Sequence, residues 1–558
     1  MRWRLAFTIL TLARATFAQD DIEDVHVHGS QARGFESRAK VDDAPREITD
    51  AASLLEPLLG VHVRRLGADD GFATMSIRGS SSNQVAFYLA GVPLPAGGDP
   101  TVDLASLPLW PGSQARVYRT FTPAALGPAS LGGTLVLDPP RATDPPRCET
   151  WMAGGSFGSL RMRVADIADA GHDVRVAAAL SASRTDGDFS YYDVKHNPPI
   201  SDPRAFVPRV NDDSAQASGL VSIVAPLRNG ATLRATTMLQ ARDQGLPGSV
   251  FAPTPLQRLR FDRELATVEL GVPVSRGVFG AQVWAVRQGT DFRDPAGLAD
   301  LTAEEQQTTI VSAGGNVSWK ARFGKLQIAT KLDGRGERYE PGAYAGPTPP
   351  TGAARTGGGL GVDVEYAASP AVSVAASARI DGWYDASDGG TPGAFDMRPN
   401  ASAGVELGSG AVRFAAHAGY TSRPANFVER FGSTGGFIAN PNLVPESAAT
   451  IDAGVRAAKR FGELRVEAEV DAFAQDAQDL ITFVPVGANN VPHAENISSA
   501  VIAGVEAEAR VRFRGLELRA SYTGLYTEND DYAPHPPLAY RPAHDFVIDL
   551  SYQLGPLR

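Results

Sequence analysis

The fold is decided by the stretch Leu464-Arg465-Val466-Glu467-Ala468-Glu469-Val470-Asp471-Ala472-Phe473. In an extended chain, successive side chains point to opposite faces. Leu464, Val466, Ala468, Val470 and Ala472 therefore share one face, and Arg465, Glu467, Glu469 and Asp471 share the other. Val505–Phe513 repeats the pattern, with Glu506, Glu508, Arg510 and Arg512 on the charged side. Phe546, Ile548, Leu550, Tyr552 and Leu554 repeat it again, opposite Asp549, Ser551 and Gln553. Segments of about ten alternating residues that recur in this way are the signature of a transmembrane β-barrel.

A soluble antiparallel sheet also alternates. Two features favour the membrane here. The polar face is charged, as a water-lined lumen requires. The connections also alternate in length. Short turns at Asp169-Ala170-Gly171, Arg228-Asn229-Gly230, Ser275-Arg276-Gly277, Phe323-Gly324-Lys325, Gly408-Ser409-Gly410 and Phe513-Arg514-Gly515 separate longer loops. Those loops lie near 185–211, 243–260, 340–352, 384–397, 422–445 and 527–539. Short turns on one side and long loops on the other are what an outer-membrane barrel shows. Counting alternations from 147 to 558 predicts about 18 antiparallel strands.

Upstream of the barrel, residues 46–140 read differently. Asp50 is placed to cap a short helix in which Leu54, Leu55, Leu58 and Leu59 share a face, Pro57 limits its length and Gly60 ends it. Short strands and Gly or Pro turns then alternate as far as Pro140. This is a small α/β unit, and it reads as a cork for the barrel. Met1–Ala18 reads as a secretory signal, with Arg2 and Arg4 before the apolar Leu5–Ala13, so the mature chain is expected to start at Gln19. Residues 19–45 are polar and weakly patterned. Within them, Asp24-Val25-His26-Val27-His28-Gly29 suits an extended segment that pairs with another protein's strand edge.

The net charge of −11 over 558 residues argues against a nucleic-acid partner. The single cysteine, Cys148, excludes a disulfide framework. No Ser-His-Asp or His-Glu-x-x-His arrangement occurs, so an enzyme is not expected.

The chain resembles the TonB-dependent outer-membrane receptors over nearly its whole mature length. The resemblance rests on an ordered set of motifs. In the cork these are Ile77-Arg78-Gly79, Phe87-Tyr88-Leu89-Ala90-Gly91-Val92-Pro93 and Leu126-Gly127 through Gly132-Gly133-Thr134-Leu135. In the barrel, Arg423-Pro424-Ala425-Asn426-Phe427 precedes Asn440-Pro441-Asn442-Leu443, and Asp479-Leu480-Ile481, Gly504-Val505-Glu506 and Tyr540-Arg541-Pro542 follow. The resemblance implies a plug inside a barrel of about 22 strands. It also implies a partner, TonB with its inner-membrane energising complex, which pulls on an N-terminal box. Asp24, Val25, His26, Val27, His28 and Gly29 are the best match to that box. The implied cargo is a small molecule or metal chelate, such as a ferric siderophore or cobalamin. The implied location is the lipid outer membrane of a Gram-negative bacterium.

The resemblance further implies ionic contacts between plug and wall at Arg78, Arg119, Glu446 and Glu506. Ala90 and Arg116 stand where the family usually has Asp and Glu, so a local charge pair is expected to be missing or inverted. The predicted wall is about four strands short of the family's. An open wall would leave strand edges unpaired in lipid. Truncation, a second chain that completes the wall, and a smaller closed barrel are the three readings, and truncation is the expectation.

Two loop readings complete the expectations. Asp186, Asp188, Asp193 and Asp202 lie in an acidic loop that either binds calcium, as in some cobalamin receptors of the family, or is simply solvated. Tyr191, Tyr192 and Phe251 either contact a planar ligand or belong to an interfacial girdle. The competing functional readings are a truncated, non-transporting receptor that serves as a surface-binding or structural barrel, and a passive porin.

Overall fold

The computed structural model describes residues 32, 34–42, 48–66, 71–95, 100–197, 199–297, 304–344, 351–390, 393–433, 437–486, 491–531 and 534–554. The signal segment and Asp24–Gly29 lie outside them.

The plug contains β1 (Phe35–Lys40), α1 (Ala51–Leu55), β2 (Val61–Leu66), β3 (Phe72–Ile77), β4 (Val85–Leu89), β5 (Val92–Pro93), β6 (Gln114–Arg119) and β7 (Gly133–Asp138). Five of the strands form a sheet in the order β1-β6-β7-β4-β5, and β2 pairs with β3 separately. Asp50 caps α1 by accepting from the Ser53 backbone N–H at 2.8 Å, and it is held in place by Arg65 at 2.6 Å. Leu54, Leu55, Leu58 and Leu59 are all buried. The stretch before residue 46 corrects the expected plug boundary. Phe35–Lys40 is the edge strand of the plug sheet and pairs with β6 from Phe35↔Arg119 to Lys40↔Gln114. Its sequence, FESRAK, has no apolar alternation, so its placement comes from backbone pairing and from one anchor, Phe35.

Eighteen antiparallel strands, from Arg147–Gly154 to His544–Tyr552, surround the plug in chain order. They are longer than a bare membrane crossing requires. Leu464–Val486 and Val491–Phe513 each have 23 residues, because their hairpin pairing runs from Leu464↔Phe513 to Val486↔Val491. The ring order sets the last strand beside the first. The barrel is closed, with the last strand hydrogen-bonded beside the first, and among the described residues the long runs of pairing lie between chain-consecutive strands. The inward rows of the two junction strands are only half-buried. There the plug meets the wall through His62 and Asp545 at 2.8 Å, and Arg64 lies 4.4 Å from the Tyr540 ring.

The alternation resolves as expected. Val268, Val283, Val470 and Val505 point outward and are exposed, while Asp471 and Glu506 point inward with no exposure. The plug is seated differently on its two sides. On one side its core merges with inward Leu220, Met238, Leu265 and Val286 of the wall. That side also holds an ion pair, Arg242 of the wall with Asp103 of the plug at 2.7 Å, and the opposite side concentrates charge beside an apolar patch in which plug Leu131 meets Phe473 and Ile502.

Candidate functional site

The charged side is a buried ionic hub. Arg78 lies in the turn after β3, at φ 50°, and Arg119 ends β6. Arg78 donates to Glu506 at 3.0 Å and to Asp452 at 2.7 Å. Arg119 donates to the same Glu506 oxygen at 2.9 Å, to Asp471 at 2.9 Å, and also to Glu469. His417 bonds Asp452 from behind. Phe35 and Phe473 close the hub, their ring centres 5.4 and 4.8 Å from the Arg78 guanidinium. Burial works against the Arg78 charge, but Glu506 and Asp452 outweigh it, so the group is held protonated more firmly than usual. Charges removed from water persist only when well paired, and the fork of arginine can serve two carboxylates at once.

Of the four expected contact residues, Arg78, Arg119 and Glu506 meet at this hub. Glu446 does not. It sits near the long-loop end, where its ionic partner is Arg423 of the wall, at 2.6 Å. It reaches the plug only through the neutral Gln84 amide, at 2.8 Å. Sequence reasoning missed Asp452, Asp471 and Glu469 as partners. The signal for two of them was present, since Glu469 and Asp471 lie on the charged face of the alternating stretch and Asp471 pairs in register with Glu506. Arg116 finds a carboxylate of its own in Asp138, at 2.7 Å, while Ala90 occupies a tight turn at φ 52°.

Two cavities lie between plug and wall along one sector. The outer one, toward the long loops, has a volume of about 200 Å³ and is lined by Phe87, Tyr88, Arg335, Trp383 and Phe427 among others. The inner one, toward the short turns, has about 270 Å³ and is lined by Arg116, Glu269, Gln282 and Lys331 among others. The plug segment Pro123–Leu126 borders the inner one, and Pro128–Ser130 just after it borders the outer one. Asp363 accepts from the Ala124 and Ala125 backbone N–H groups at 2.9 and 2.8 Å, and Lys331 donates to the Leu126 carbonyl at 2.7 Å. The Tyr88 hydroxyl donates to the Pro128 carbonyl at 2.9 Å, and burial pushes its pKa far above the ordinary phenol range, so it remains neutral.

The loop residues do not gather at either cavity. Tyr191 and Tyr192 lie on a short hairpin strand, with Tyr192 bonded to Asn197 at 3.0 Å and Tyr191 5.5 Å from the Arg209 guanidinium. Phe251 is exposed on a separate loop. The acidic loop does not bring its four carboxylates together. Asp186 faces Arg184 at 3.4 Å, Asp193 binds His196 at 2.6 Å, and Asp202 binds Arg204 at 2.8 Å. Among the described residues, the only three carboxylate or histidine groups close enough to share an ion are Glu528, Asp530 and His535, in another loop.

Residues 170–558 match the family model for the β-barrel of TonB-dependent receptor-like proteins, and residues 37–134 match that for the TonB-dependent receptor plug domain. The vitamin B12 transporter BtuB of Vibrio vulnificus (strain YJ016) is 32% identical over 111 residues, a match that spans 18% of this chain and 18% of that protein. Among solved structures, the copper transporter OprC superposes with a TM-score of 0.74 at 15% identity, covering 91% of this chain and 80% of its own. The ferric citrate transporter FecA, unliganded, superposes with a TM-score of 0.70 at 15% identity, covering 94% and 82%. These structural likenesses concern the fold. With its plug and its barrel each matched by a family model, the chain belongs to the TonB-dependent receptors.

Proposed function

We propose that this chain is an outer-membrane receptor of a Gram-negative bacterium that captures a scarce nutrient outside the cell and takes it up with energy relayed by TonB. The carrying observation is the hub, where two plug arginines share wall carboxylates in a fully buried setting. Such pairs hold the plug at rest. Because several acceptors lie within reach of each guanidinium, traction on the plug can exchange partners without baring a charge. Asp24–Gly29 is the handle for that traction in this reading, and a ferric siderophore or cobalamin represents the cargo. The plug in the lumen disfavours a passive porin.

The test separates transport from mere binding. Deleting residues 24–29 is expected to abolish uptake, read as growth on a limiting iron chelate or on cobalamin, while whole cells still bind the compound. Undiminished uptake after the deletion would refute energy coupling through this segment. It would leave standing the reading of a barrel that binds at the surface.

A further inference from the structure

The outer cavity has a charge pattern with chemical consequences. Its lining carries Arg335, Arg355 and Arg423 against Asp333, Glu337 and Asp381, so the two signs balance. Each arginine is already held. Arg335 donates to Glu337 at 3.2 Å, Arg355 to Asp385 at 2.6 Å, and Arg423 to Glu446 at 2.6 Å and Glu429 at 3.1 Å. Behind the lining, Arg379 binds both Asp333 and Asp381. No lysine lines the cavity among the described residues. The segments 345–350, 391–392 and 434–436, which connect wall strands of this sector, contain no ionisable side chain. The uncharged lining is mixed, with an apolar and aromatic wall that includes Phe87, Leu94, Trp383 and Phe427 and neutral polar groups such as Asn83, Asn400 and Asn426.

A polyanionic chelate needs unpaired cations to replace its hydration. Here each lining guanidinium is already committed to a carboxylate, so a polyanion would have to share or exchange those partners at carboxylates largely withdrawn from water. An electroneutral ligand needs no such exchange and is compensated by apolar contact with the aromatic wall. We infer that the outer cavity receives an electroneutral, amphipathic ligand, such as an uncharged metal chelate or macrocycle, and rejects polyanionic chelates. The inference rests on the receptor reading above and names its substrate class. Since the cavity is smaller than such a ligand, it takes one face or arm, and the long loops meet the rest.

The test is direct binding to the purified full chain in detergent, at 50 and 500 mM NaCl. The neutral probes are cyanocobalamin and an uncharged ferric trihydroxamate, and the anionic probe is ferric citrate. At least one neutral probe is expected to bind, with a Kd that changes less than about twofold with salt, because screening acts on net charge. Ferric citrate is expected to bind at least about tenfold more weakly. Glu337→Gln, which frees Arg335, is expected to improve ferric citrate binding at least about tenfold at low salt and to lose that gain at high salt. Asp385→Asn, which frees Arg355, reads the same effect at a second position. The class is overturned if ferric citrate binds the parent chain best, if no neutral probe binds, or if neither variant gains anion affinity. None of these results depends on uptake, so they leave the test of energy coupling separate.

Discussion

At the scale of single residues, Glu506 holds the most consequential position. One of its oxygens accepts from both Arg78 and Arg119, so one carboxylate ties two plug elements to the wall. Room for it is made by Gly60, at φ 75°, where any Cβ would lie 2.1 Å from Glu506 Oε1. Removing one partner from a buried ionic cluster leaves the others uncompensated. Glu506→Gln is therefore expected to destabilise plug seating by roughly 3 kcal/mol. The measurement is amide hydrogen exchange in β3 and β6, which should accelerate in the variant while the wall strands remain protected. Unchanged exchange in both strands would mean that Asp452 and Asp471 alone hold the arginines. Glu506 and both arginines were legible in the sequence because they sit in ordered motifs. Asp452 was not, since its role depends on which wall strand faces the plug, and alternation gives a side chain's face but not its neighbour across the lumen.

At the scale of elements, the same distinction separates what could be read from what could not. The start of helix α1 was legible because its cap and its apolar face are local, but its end was not, since the helix stops at Leu55, ahead of Pro57 and Gly60, and Leu58 and Leu59 are buried from the turn that follows. The outward rows of the wall were legible because their period is local too. The edge strand β1 was not, because its stabilisation comes from pairing with a strand 74 to 84 positions away, Lys40↔Gln114 through Phe35↔Arg119. The loop aromatics failed for a related reason, since loop contacts are set by tertiary packing and no period records them.

The segment Pro123–Leu126 is the element on which the proposed motion can be tested. It borders the inner cavity and is tied to the wall at Asp363 and Lys331. Gly361 of the wall lies directly against it, so that a Cβ placed there would be 2.4 Å from the Ala124 carbonyl oxygen and 3.1 Å from the Ala124 Cβ. The backbone contact requires the segment to lift slightly, which also brings the Cβ pair toward the usual disulfide range, so Ala124→Cys with Gly361→Cys is expected to staple plug to wall under oxidising conditions. If uptake requires this segment to leave the wall, the oxidised double variant should bind cargo normally but fail to import it, and a reductant should restore import. Each single variant is the control for crowding at Gly361. Import by the fully oxidised protein would show that the cargo passes without displacement of this segment.

At the scale of the whole molecule, the wall has to satisfy lipid outside and a packed plug inside, and a single strand shows both demands. In Gly277–Asp294, outward Phe279 and Val283 are exposed, while Trp284 and Val286 turn inward and are buried, the latter against the plug core. Four residues beyond Val283 on the same outward row stands Arg287, paired with Asp262 and close to Glu264 on the neighbouring strand. That cluster marks where the apolar band ends toward the long loops. Val283 pairs with Val268 across the outer surface and so lies inside the band. Val283→Arg is expected to cost roughly 2–4 kcal/mol of barrel stability in lipid, the range for a cation at mid-depth on a lipid-facing strand. The readout is the fraction of heat-modifiable, folded barrel after refolding into liposomes, which should fall sharply. Ile200→Arg provides the contrast. Ile200 is equally apolar and highly exposed, but it lies in the long loop between wall strands, where a charge meets water and the folded fraction should not change. Equal loss in both variants would mean that exposure alone, and not depth in lipid, governs tolerance. Equal tolerance would place the outward row of Gly277–Asp294 in water and remove the membrane from the account of this wall.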